Sequence, residues 1–202
     1  MKKQIIVING GTSFRTYENY ISYLKEIRIN IEKLKIRRSW RDTLAAELGD
    51  AYEILVPRMP NSTNARYAEW KIWFNNITEV LNDEVIIIIG HSLGGVFLAK
   101  YLSENTFPKK ITATILIAPP FEDVAGAKES LTDFVLPSSL AKFAKQGGKI
   151  YLVHSKDDPI VPVTHLYKYQ QSLPEAEAII FENREHFNQE TFPEIIELIK
   201  SI

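Results

Sequence analysis

Val85-Ile86-Ile87-Ile88-Ile89-Gly90-His91-Ser92-Leu93-Gly94-Gly95-Val96-Phe97-Leu98-Ala99 is the stretch from which the architecture can be read. Five aliphatic residues without polar alternation predict a strand buried on both faces, near the middle of a parallel sheet. The apolar residues from Val96 to Leu102 predict a helix. Between strand and helix lies Gly-His-Ser-Leu-Gly, a tight turn with Ser92 at its apex. A serine hydroxyl is a poor nucleophile until it is held exposed beside a base, and a sharp strand-to-helix turn pushes its side chain out of the backbone path. Glycines two before and two after it remove side chains that would collide there. The start of the helix adds free N–H groups and a positive dipole end beside the serine. A plain glycine-rich turn would share the five-residue pattern; the strand before it and the helix after it make the pattern specific.

Outward from this stretch, aliphatic runs alternate with helical ones. Six strands are predicted, over residues 4–8, 52–56, 85–89, 111–117, 149–154 and 177–181. The alternation is that of an α/β fold: a parallel sheet covered by helices on both faces, in three α/β/α layers. Tyr67, Trp70, Phe74, Ile77 and Leu81 recur at helical spacing, and Ser39 is placed to cap a helix ending near Gly49. The connection after the first strand is long, with an amphipathic stripe of Ile21, Leu24, Ile31 and Leu34 in an extended helical segment over 14–38. Its Lys33, Lys35, Arg37 and Arg38 are read as a solvated helix face. With no repeat, low-complexity tract or linker, residues 1–202 form one domain.

Composition narrows the function. Of 202 residues 45% are apolar, enough for a packed core, and 24 basic residues nearly balance 25 acidic ones, leaving a net charge of −1. No global field would hold the chain on nucleic acid or an anionic membrane, so neither is expected as a partner. The absence of cysteine excludes a thiol nucleophile and thiolate metal sites, and fits a reducing, cytoplasmic location. The run Ile5–Ile8 is too short for a signal-peptide core or a spanning helix. The histidines have no paired ligand spacing, so no metal is expected, and the chemistry needs no cofactor.

A serine nucleophile needs a base and an acid, which follow it in chain order in this kind of turn-carrying fold. Three histidines come after Ser92. His186 lies in a loop between the last strand and a C-terminal helix, where it can reach the top of the sheet. His154 ends a strand and His165 sits on a helix after Pro162; both read as packing or surface residues. The acid is expected in Ser155-Lys156-Asp157-Asp158-Pro159, a breaker-rich turn where spacing leaves Asp157 and Asp158 nearly indistinguishable. An oxyanion hole needs the amide of Leu93 and one from Asn9-Gly10-Gly11-Thr12, with Gly11 before Thr12 because a bare backbone approaches a carbonyl most closely. Residues 119–148 are expected to wall an apolar acyl pocket through Phe121, Leu131 and Phe134, with Thr12 and His91 also facing substrate.

Taken together, the glycine-rich loop after strand one, Met59-Pro60-Asn61 followed by Trp70, the GHSLGG turn, SKDDPIVP and His186-Phe187 resemble the α/β-hydrolase superfamily. Within it they are similar to the small YdeN-like and retinoblastoma-binding-protein-like serine hydrolases. The resemblance runs over most of the chain. It implies a six-stranded, mainly parallel sheet of order 2-1-3-4-5-6 without a large cap, the aspartate before the proline, Asp158, as the acid, and His186 as the base. The implied reaction is hydrolysis of a small ester, thioester or amide through an acyl group on Ser92. A non-catalytic interaction module on the same fold is the competing reading. Two features depart from the family: Glu185 stands where glycine is common, and the segment from Phe14 to Arg38 is longer than the usual first crossover. That extra segment is expected to lean over the active site.

Overall fold

A computed structural model describes residues 2–35, 38–82 and 86–202; Val85, Arg37 and the side chain of Lys33 lie outside the described residues. The strands are β1 (Lys3–Ile8), β2 (Tyr52–Leu55), β3 (Ile86–His91), β4 (Ile111–Ile117), β5 (Lys149–Ser155) and β6 (Glu177–Phe181). They form one sheet of order β2-β1-β3-β4-β5-β6 in which every pairing is parallel. Each expected strand is present within two residues of its expected bounds.

Period-two alternation divides the core between the two faces of the sheet. Ile6, Ile8, Ile86 and Ile88 point to one side, where they meet α4 (Tyr67–Glu79), α5 (Leu93–Glu104), α6 (Ala141–Gln146) and α7 (Thr164–Ser172). Ile5, Val7, Ile87 and Ile89 point to the other, against α3 (Trp40–Leu48) and α8 (Pro193–Ser201). This is why the central strand is unbroken isoleucine from Ile86 to Ile89: neither of its faces meets water there. On the first side Phe97 of α5 packs its ring edge-on to Trp70 and Phe74 of α4, at 5.5 and 5.3 Å between centroids, and fixes the helix that starts at Ser92.

Helix α3 begins as the sequence predicts. The Asp42 carboxylate accepts from the Ser39 N–H at 2.7 Å, and Gly49 ends the helix in a left-handed conformation at φ 76°. The long first connection folds into α1 (Tyr17–Glu26) and the short α2 (Ile31–Leu34). No residue of α1 is buried. The segment braces a loop instead: Arg15 pairs with Asp123 at 3.3 Å and Glu26 with Lys128, both on the stretch after β4. It therefore leans on the loop that walls the cleft beside Ser92.

Candidate active site

Ser92 sits between β3 and α5 with φ 53° and ψ −124°, a conformation that costs a non-glycine residue about 1–3 kcal/mol. The neighbouring backbone holds it there. Its N–H donates to the Ile117 carbonyl at 2.8 Å, and its own carbonyl accepts from Gly95 at 2.9 Å. A Cβ on Gly94 would lie 2.2 Å from the Ile8 carbonyl oxygen, so only glycine lets α5 start this close to β1. A Cβ on Gly10 would come within 3.0 Å of the Ser92 Cβ, which places the loop after β1 directly against the serine.

His186 arrives from the loop after β6 and is almost entirely buried. Its Nδ1 lies 2.8 Å from Oδ2 of Asp158, whose side chain is fully buried. Oδ1 of the same carboxylate accepts from the N–H groups of Ile160 and Val161 at 2.8 and 2.9 Å. Asp158 thus closes its own turn with one oxygen and meets the imidazole with the other. Asp157 is turned elsewhere. It accepts from Ser155 Oγ at 2.5 Å and from the Glu185 N–H at 2.9 Å, and the Ser155 bond holds its carboxyl below the usual range. Its part is to tie the acid loop to the histidine loop.

The backbone on both sides of His186 is left-handed, with φ 46° at Glu185 and 55° at Phe187. This accounts for the first departure from the family pattern: position 185 has the conformation that glycine adopts without cost, and here glutamate occupies it. Three bonds from α3 and β3 help hold the loop against that strain. Trp40 Nε1 donates to the Phe187 carbonyl at 3.0 Å, the Trp40 N–H donates to the Gln189 carbonyl at 3.0 Å, and His91 Nε2 lies 2.8 Å from the His186 carbonyl.

That last contact reassigns His91. Its ring is buried 4.9 Å from the His186 ring, with no place on the cleft, so it positions the histidine loop and does not face substrate. Burial, followed by the nearby Arg41 charge and His186, holds its pKa well below the ordinary 6.5. The neutral ring then carries its proton on Nε2, the only arrangement that can donate to a carbonyl. His154 is similar: it is buried, Nε2 donates to the Val161 carbonyl at 2.8 Å, and burial lowers its pKa. His165 Nδ1 accepts from the Phe121 N–H at 2.9 Å.

A cleft of about 110 Å³ opens beside Ser92. Gly11, Thr12, Ser13 and Leu93 line it beside the apolar Pro120, Val124, Ala127, Leu131, Ile160 and Val161, and Glu122, Asp123 and Glu129 add carboxylates to its wall. Thr12 is there as expected, but its N–H is taken by the Ser62 carbonyl at 2.8 Å. Leu93 opens α5, so its N–H has no partner within the helix. Two expected wall residues lie elsewhere. Phe134 is fully buried in the core, edge-on to Trp70 at 5.2 Å and Tyr67 at 5.8 Å. Phe121 packs edge-on against Tyr169 at 5.0 Å and does not line the cleft. Sequence reasoning missed Ile160 and Val161, although they stand two and three residues after Asp158 in SKDDPIVP. Among the described residues no cluster of three His, Cys, Asp or Glu could hold a metal ion, and no helix is long and apolar enough to cross a membrane.

Two measurements follow from this geometry. Replacing an exposed glutamate by glycine ordinarily destabilises a chain, but Glu185→Gly is expected to hold or raise the urea midpoint, by up to about 1 kcal/mol in stability, because it relieves a left-handed residue. Protons bind His91 and His154 less readily in the folded chain than in the unfolded one. Their contribution to stability is therefore complete above pH 6.5, the ordinary value, and falls as the pH drops below it. Urea unfolding from pH 7.5 to 5 should show this decline, with a shallower slope in His154→Gln.

The geometry has counterparts among known proteins. Residues 37–200 match the family model described as serine hydrolase. The rat serine hydrolase RBBP9 is 29% identical over 155 residues, covering 75% of this chain and 78% of that protein. The ydeN gene product of B. subtilis superposes with a TM-score of 0.74 at 18% identity, covering 99% of this chain and 98% of that one. The serine hydrolase CCSP0084 from Cycloclasticus zankles does so at 0.67 and 13% identity, covering 99% and 89%. With the strand order and the strained serine turn already established, the family match over most of the chain makes this protein a member of the serine hydrolase family, on the α/β-hydrolase fold.

Proposed function

We propose that the chain hydrolyses a small ester, thioester or amide through an acyl group carried on Ser92, with esters favoured because they are chemically easier to cleave. The observation that carries this reading is the 2.8 Å bond from His186 Nδ1 to the buried Asp158, next to a serine held in a strained turn. Bonded at Nδ1, the imidazole has Nε2 left to take and return a proton.

In the proposed mechanism Ser92 Oγ attacks the substrate carbonyl carbon as its proton passes to His186 Nε2. The negative charge that develops on the carbonyl oxygen is met by the N–H groups of Leu93 and Gly11. Collapse breaks the bond to the leaving group, which takes the proton from His186, and leaves the acyl group on Ser92. Water then repeats the sequence: it gives a proton to His186 and attacks the acyl carbon, and the acid departs as Ser92 recovers its proton. Asp158 holds the ring in one orientation and stabilises it while it is charged. The small size of the cleft beside Ser92 favours a compact acyl group.

Exposure to a fluorophosphonate probe, read by intact mass, tests this. Wild type is expected to gain one adduct and Ser92→Ala none, with His186→Ala labelled at least about 10³-fold more slowly. A folded wild type that neither labels nor cleaves small esters would instead be an interaction module.

A further inference from the structure

The site extends beyond the acyl cleft. In sheet order β3, which carries Ser92, separates two sets of loops. Those after β4 and β5, with Gly11, Thr12 and Ser13 after β1, wall the acyl cleft. Those after β1 and β2 wall a second cavity, of about 390 Å³, lined among others by Asn9, Gly10, Arg58, Asn61 and Ser62. Gly10 belongs to both neighbourhoods: a Cβ there would lie 3.0 Å from Ser92 Cβ and 3.5 Å from its Oγ. Gly10, which lines the second cavity, therefore packs directly against Ser92, so that only this residue without a side chain stands between the hydroxyl and that cavity.

The two spaces differ in charge. Glu122, Asp123 and Glu129 line the acyl cleft, the first two paired with Lys168 and Arg15. Among the described residues Arg58 is the only charged one lining the second cavity, and this exposed arginine has no carboxylate partner among them. Asn9, also on that wall, keeps Oδ1 buried without a hydrogen bond. The loop that carries Arg58 is held in shape by Asn61, which is left-handed at φ 47° and donates through Nδ2 to Glu69 at 2.8 Å.

Resting on the acyl-enzyme reading above, we propose that this cavity is a leaving-group subsite for an alcohol, phenol or amine that bears an anionic carboxylate or phosphate, with Arg58 as the specificity-determining residue. An anion is disfavoured on the carboxylate-lined acyl side, whereas the planar guanidinium fork matches either oxyacid on the other. The chemistry is unchanged: the leaving group takes its proton from His186 and departs as its carbonyl bond breaks.

The test compares kcat/KM for three acetyl esters of one phenol framework: meta-acetoxybenzoate, its uncharged methyl ester, and meta-acetoxyphenyl phosphate. Wild type is expected to prefer an anionic ester over the neutral one by about fivefold or more, the larger ratio naming the preferred anion. Arg58→Met should bring the ratio to about one, and Arg58→Lys, a charge without the fork, should keep part of it. Equal turnover of charged and neutral esters in wild type, or a preference untouched by Arg58→Met, overturns the subsite while leaving the hydrolase reading intact. So does an Arg58-dependent preference for a hemisuccinate over a butyrate ester of one neutral phenol, which would put the anion on the acyl side. A folded wild type that turns over none of these esters and takes no fluorophosphonate overturns both readings.

Discussion

Close approach of backbone to backbone at the serine turn is the constraint from which the rest of the site follows. Helix α5 can begin at Leu93 only because Gly94 brings no side chain to the Ile8 carbonyl, and Gly10 can lie against Ser92 for the same reason. The cost of the strained serine is met by the core beneath it. Ile86–Ile89 are buried on both faces of the sheet, and Phe97 fixes α5 to α4 through its ring contacts. Loosening that packing would let the turn relax and withdraw the hydroxyl.

Strain recurs at the histidine. His186 is flanked by two left-handed residues and held by bonds from elements distant in sequence: α3 through Trp40, β3 through His91, and the acid loop through Asp157 and Asp158. The neighbouring aspartates divide the work between them. One joins the loops and the other holds the imidazole. Buried, neutral histidines brace both partners, His91 under the His186 carbonyl and His154 under the Val161 carbonyl.

Much of this was legible in the sequence because it depends on local pattern. An unbroken aliphatic run fixes a central strand, glycine spacing marks the serine turn, and breaker residues bound the acid loop. The order of the strands and the preference for Asp158 over Asp157 came from family resemblance, since spacing alone does not say which way a side chain points. Orientation also explains the misplaced aromatics. Phe121 and Phe134 stand in an irregular stretch without periodicity, so nothing in the sequence told that one packs on Tyr169 and the other joins the Trp70 cluster. The contact from Trp40 to the Phe187 carbonyl spans 147 residues and carries no local signal. The left-handed backbone at Glu185 was hinted at by a family glycine it lacks.

Whether acyl transfer passes through Ser92 can be read by acid-quenching the enzyme while it turns over a small ester and mapping the acyl mass by peptide sequencing. The acyl group is expected on Ser92, accumulating further when Asp158→Asn slows its release. Sustained turnover with the acyl group on another residue, or on none while Ser92→Ala stays active, would contradict this route.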